Sequence, residues 1–308
     1  MSGAEFVPLS LPPLVIGVLA AVACALPGNF LVLRRQALIG DAISHVVLPG
    51  IVVAFLVTGV VSAWPMMIGA AVAALVAVGL IEGIRRLGRI EPGAAMGVVF
   101  TAMFAGGVLL LEQSDTSSVH LDVEHALFGN LESLIWLDAT GWSSLLDLTA
   151  LAGLPDEVSR MALTLVVVVV FIWVLWRPLK ISTFDPGFAE AVGVRTGALG
   201  LGLVVVSAMA AVAAFDAVGS IIVIAMFICP PAAARMMTNR LEVQIAWSVA
   251  FAVLSAVLGY VFAGYGPLWF GAVHAVSAAG MIATVSGVLL AFAAVFGPCR
   301  TRSSAPSV

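Results

Sequence analysis

Six stretches of this chain, residues 14–33, 61–81, 92–111, 196–215, 243–263 and 275–296, run without a single Asp, Glu, Lys or Arg. Each is close to the roughly 20 apolar residues that an α-helix needs to cross a bilayer core. In hydrocarbon every backbone N–H and C=O must be paired within the segment, so spans of this kind are helices. Two shorter runs, 161–176 and 217–234, and a longer one, 36–60, which carries Asp41 and His45, bring the series to eight or nine. With 62% hydrophobic and 10% charged residues and a mean hydropathy of +1.17, the chain reads as an all-α integral membrane protein. The expectation is a polytopic helical bundle forming one transmembrane domain over residues 1–308, with lipid along its outer faces. No basic residue precedes Arg34, so the first apolar run reads as a retained anchor and not a cleaved signal.

Basic loops stay on the cytoplasmic side. An outside N-terminus places Arg34, Arg35, Arg85, Arg86, Arg89, Arg177, Lys180, Arg195, Arg235, Arg240, Arg300 and Arg302 inside, twelve of the 13 basic residues, and leaves only Arg160 outside. The C-terminus is then cytoplasmic. The connection over 112–160 faces outward and contains Glu112, Asp115, Asp122, Glu124, Glu132, Asp138, Asp147, Asp156 and Glu157. It is long enough to hold an interfacial helix over 134–158, anchored by Trp136 and Trp142. No basic patch suggests nucleic acid.

Asp41 and His45 are four residues apart, so on a helix they share one face about a turn apart. Ionisable groups inside a membrane segment are costly and mark pathways. Pro49 adds to this, because a proline removes the bond to the carbonyl four residues back, which is that of His45. One carboxylate and one imidazole suit manganese, iron or zinc better than alkali ions. Two ligands are too few for a tight site, and a dimer axis would double them. Two plainer readings stand beside this one: Asp41 paired with Arg35 at the membrane edge, and His45 as a satisfied core residue.

In RPLKISTFDPGFAEAVGVRT, residues 177–196, Asp185 is a good N-cap, Pro186 a good first helical residue and Gly193 a good terminator. That predicts a helix of about two turns on the cytoplasmic side, with Phe188, Ala191 and Val192 on an apolar face. It is either a surface helix lying on the membrane or a docking element for another protein. Pro230 and Pro231 sit inside a membrane segment and free the carbonyls of Met226 and Phe227, a break in the pathway or a structural kink. His120, Asp122, Glu124 and His125 cluster in the outer connection without matching a closed metal motif, and His274 lies near an outer helix end. Cys24, Cys229 and Cys299 read as small core residues. The chain contains no G-x-x-x-x-G-K-[ST], no H-E-x-x-H and no G-x-S-x-G, so it is neither a P-loop ATPase nor an obvious intramembrane hydrolase.

FLVLRRQALIGDAISHVVLPGIVVAF, then LFGN at 127–130, TFDPGFAEAVGV at 183–194 and VGSIIVIAMFICPPAAA at 218–234, resemble in order and spacing the permeases of metal-type ABC importers. These take up manganese, zinc or iron with a solute-binding protein. The resemblance implies a permease-type bundle in a bacterial cell membrane, with no ATPase activity of its own. It implies Asp41 and His45 as the residues that meet the metal, and 185–193 as a coupling helix seated on a cytoplasmic P-loop ATPase. It also implies a second permease copy or sister subunit and an extracytoplasmic metal-binding protein. The stretch before LFGN is similar to the manganese branch. The chain departs from many relatives at Glu91 and Gly93, and relatives vary at Asp216, so no role transfers to Glu91 or Asp216. The competing expectation is a proton-coupled carrier that uses Asp41 and His45 as a relay without an ATPase.

Overall fold

The computed structural model describes residues 3–36, 38–59, 63–88, 90–113, 131, 134–139, 141–147, 150–151, 153–269 and 276–299. Twelve α-helices are found among them: α1 (Gly3–Leu9), α2 (Leu11–Leu33), α3 (Leu38–Thr58), α4 (Ala63–Gly88), α5 (Pro92–Gln113), α6 (Asp156–Val174), α7 (Trp176–Phe184), α8 (Pro186–Ala191), α9 (Thr196–Val218), α10 (Ser220–Met237), α11 (Leu241–Trp269) and α12 (Ala278–Phe296). Eight of these, α2, α4, α5, α6, α9, α10, α11 and α12, are long and apolar enough to cross a membrane. The helix α3 has 21 residues, or about 31 Å at 1.5 Å per residue, and makes a ninth of spanning length.

The helix α2 is the central post. Within the chain, 72% of its span is buried, against 17% for α4 and 22% each for α5, α6 and α12, which leaves those four to face lipid or a partner. It is flanked by α6, α9, α10 and α11, and α3 packs on α4 and α5 and more lightly on α9 and α10. Lipid tails are as apolar as leucine, so the helices associate through close packing of small residues. Gly50 and Gly69 show this between α3 and α4: a β-carbon on Gly50 would stand 2.5 Å from the carbonyl oxygen of Gly69 and 2.8 Å from Cβ of Ala73.

The two ends of the bundle differ. At one end Phe6 stacks on Trp142 with ring centroids 6.0 Å apart, and Trp136 donates its backbone N–H to Pro8 (2.9 Å) and its indole N–H to Ala150 (2.8 Å). Among the described residues of 134–158, the stretch preceding α6 holds a short 3-10 turn, Trp142–Leu146, and α-helical backbone at Ala150 and Leu151. Trp136 is buried there with Val7, Ala139 and Ala150. At the other end Arg34 reaches Ser182 and Thr183, Lys180 pairs with Glu242 at 2.5 Å, and the Cys299 N–H bonds the Met236 carbonyl. The 23 residues of α2, about 34 Å, separate the two ends, so the acidic and the basic connections stand about a bilayer apart.

Candidate functional site

The backbone of α3 runs as unbroken helix through Asp41, His45 and Pro49. The side chains of Asp41 and His45 lie outside the described residues, as do His120, Asp122, Glu124, His125, residues 127–130, His274 and the side chain of Asp216. What is described is how α3 is held. Gly40 is buried against Phe227 of α10, where a β-carbon would come within 2.8 Å of the ring. Ala42 and Val46, each one position beyond the Asp/His pair, are buried, and Val46 clusters with Ala77 and Val99. Pro49 fills the space beside Gly107 of α5, whose added β-carbon would stand 2.7 Å away. The segment bearing the pair is thus fixed against α10, α4 and α5 within eleven residues, Gly40 to Gly50. Among the described residues no three His, Cys, Asp or Glu side chains converge on one point.

Pro230 and Pro231 do not interrupt α10, which is helical from Ser220 to Met237. The backbone stays helical past both prolines, and α2 packs closely on one of the carbonyls they free. Pro231 frees the Phe227 carbonyl, and α2 closes on that oxygen at Gly28, where a β-carbon would stand 2.5 Å from it. Phe227, wholly buried, is therefore sandwiched, its carbonyl against Gly28 of α2 and its ring against Gly40 of α3. Neither contact could be read from the local pattern; the only hint is that two glycines stand in otherwise bulky runs.

The short helix α8 matches its sequence signals closely. The Asp185 carboxylate accepts the Phe188 N–H at 2.9 Å, Pro186 occupies the first turn, and Gly193 adopts φ +85°. The Val194 N–H bonds the Ala189 carbonyl (2.9 Å) and the Gly193 N–H bonds that of Glu190 (3.0 Å), the two crossed bonds of a Schellman cap. Ala189 alone is buried, while Phe184, Phe188, Ala191 and Val192 are exposed. The apolar face expected of this helix is turned away from the bundle.

Sequence reasoning missed Arg34. It caps the C-terminal end of α2, donating from Nε to the Thr183 hydroxyl (3.1 Å) and from Nη2 to the Ser182 hydroxyl (2.9 Å), on α7 just ahead of α8. Both hydroxyls in turn bond the Leu179 carbonyl, at 3.2 and 2.7 Å. Burial lowers the Arg34 pKa from its ordinary value by desolvating the charged form. One turn earlier on α2, Phe30 meets the Trp176 ring edge-on at 6.4 Å, at the start of α7. Cys24 is buried, and Cys24, Cys229 and Cys299 are all free thiols.

The ABC 3 transport family matches residues 8–139 and 148–297. The manganese transport system membrane protein MntD of Bacillus subtilis (strain 168) is 40% identical over 284 residues, 92% of this chain and 90% of that protein. The zinc transport system membrane protein TroD of Treponema pallidum (strain Nichols) is 34% identical over 293 residues, 94% of this chain and 74% of that protein. Among solved structures, PsaBC from Streptococcus pneumoniae in complex with Fab superimposes with a TM-score of 0.74 at 26% identity, covering 95% of this chain and 93% of that one. The order of helices, the capped helix between the fifth and sixth spans and these matches along nearly the whole length lead to one conclusion: the chain belongs to the ABC 3 transport family, as a membrane transport subunit that leaves ATP hydrolysis to separate subunits.

Proposed function

We propose that the chain is the permease of an ATP-driven importer of divalent transition metal ions, with manganese as the principal cargo and zinc or iron as the other candidates. The names of its manganese- and zinc-transporting relatives support this cargo, and the one at 40% identity favours manganese. The observation that carries the ATP-driven reading is α8, a helix closed at both ends by its own hydrogen bonds with Phe188, Ala191 and Val192 left uncovered. A rigid short helix with an apolar outer face is what a groove on a P-loop ATPase can grip and move. Family membership speaks against a proton-coupled carrier working without an ATPase.

The metal path follows from the chemistry of α3. Asp41 and His45 from this chain and the same pair from a second permease, identical or a sister subunit, supply two carboxylates and two imidazoles. A binding protein delivers the ion at the acidic outer end, and the two pairs hold it in passing. ATP binding and hydrolysis in the partner shift α8 and open the path inward, where a modest ligand count favours release. The concentration of basic residues at the Arg34 end supports an external N-terminus and a cytoplasmic C-terminus, in a bacterial inner membrane.

Uptake in vesicles holding the chain, its ATPase and its binding protein tests this reading, with manganese, zinc and iron offered separately. ATP-dependent uptake of manganese, lost in Asp41→Ala and in His45→Ala while the ATPase stays bound, is the expected outcome. Uptake that persists in both variants would make the pair structural; uptake driven by a proton gradient without ATP would overturn the permease reading.

A further inference from the structure

We infer that Arg34 is a positioning residue that links the coupling helix to the metal-bearing helix, an inference that rests on the permease reading above. Its guanidinium is bonded to the limb before α8 and stands near the limb after it. Before α8 it bonds Ser182 and Thr183, at 2.9 and 3.1 Å, and after α8 its Nη1 stands 3.6 Å from where a β-carbon on Gly200 would lie. The planar fork of arginine fixes the geometry of both hydroxyl bonds at once, which a flexible ammonium cannot do. With Phe30 against Trp176, the end of α2 grips α7 near each of its termini.

The described turn that leaves α2 toward α3 is held by its own hydrogen bonds. Arg35 holds the left-handed φ of +58°, its N–H bonds the Val32 carbonyl at 3.1 Å, and the Gln36 N–H bonds the Leu31 carbonyl at 2.8 Å. The helix α3 starts at Leu38, with Gly40 locked on Phe227 just ahead of Asp41. Because α2 is the most buried span, a shift of α7 and α8 acts on the Arg34 turn, and through it on the start of α3.

Manganese imported and ATP hydrolysed are measured in the same vesicles for the full complex. Arg34→Ala, and separately Ser182→Ala combined with Thr183→Val, lower manganese imported per ATP by about tenfold, with hydrolysis and assembly retained. Combining all three substitutions lowers it no further, and Arg34→Lys recovers part of the loss because a lysine reaches one hydroxyl and not both. A merely structural role would reduce assembly and hydrolysis together and leave the ratio where it was. The hydroxyl variants keep the test decisive should Arg34→Ala fail to assemble. A ratio unchanged in the hydroxyl pair, or losses that multiply in the triple variant, overturns the tether. Failure of the unsubstituted complex to import metal with ATP would instead overturn the permease reading itself.

Discussion

The helices α8 and α10 are built on opposite principles. The first is six residues long, lies outside the bundle and is closed by Asp185, Pro186 and the Gly193 turn. Its stability is local. The second is 18 residues long and half-buried in the bundle, and it carries two consecutive prolines that local rules forbid in a helix interior. It persists because α2 and α3 press on Phe227 at two glycines. A helix outside the bundle keeps its shape through its own hydrogen bonds; one packed within the bundle can depend on its neighbours.

Substitutions at the two helices should separate these principles. Phe227→Ala removes the ring held against Gly40 and is expected to cost about 3–5 kcal/mol, read as a fall in the melting temperature of the detergent-solubilised protein. Gly28→Ala forces a β-carbon onto the Phe227 carbonyl and should cost about 1–3 kcal/mol in the same assay. An unchanged melting temperature in either variant would mean that α10 does not rely on these contacts. Asp185→Ala removes the cap of α8 at about 1 kcal/mol, visible as faster amide exchange confined to residues 186–192 and with no change in bundle melting. Phe188→Ala, at an exposed site, should alter stability by no more than about 0.5 kcal/mol yet weaken retention of the ATPase on the purified permease. Loss of melting temperature without loss of retention would place Phe188 in the fold and remove it from the docking face.

The legibility of the sequence followed the same division. The membrane spans could be read because an uncharged run of bilayer length has one stable backbone solution. The helix over 186–191 could be read because its cap, first residue and terminator all lie within nine residues. Pro230 and Pro231 were visible but their consequence was not, since whether a proline breaks a helix depends on what fills the freed space. Trp136 read as an interfacial anchor; burial against Val7, Ala139 and Ala150 makes it the centre of a small core instead.

By itself, then, the order of residues determined the membrane class, the spans, the concentration of positive charge at one set of connections and the self-capped helix over 186–191, all consequences of neighbours within about a turn or of simple length. Tertiary structure alone decided that Gly28 and Gly40 enclose Phe227 from two sides and that Arg34 meets Ser182 and Thr183, 148 and 149 residues away. Contacts at that separation depend on which helices the bundle makes neighbours, and no local rule of propensity or capping encodes the choice.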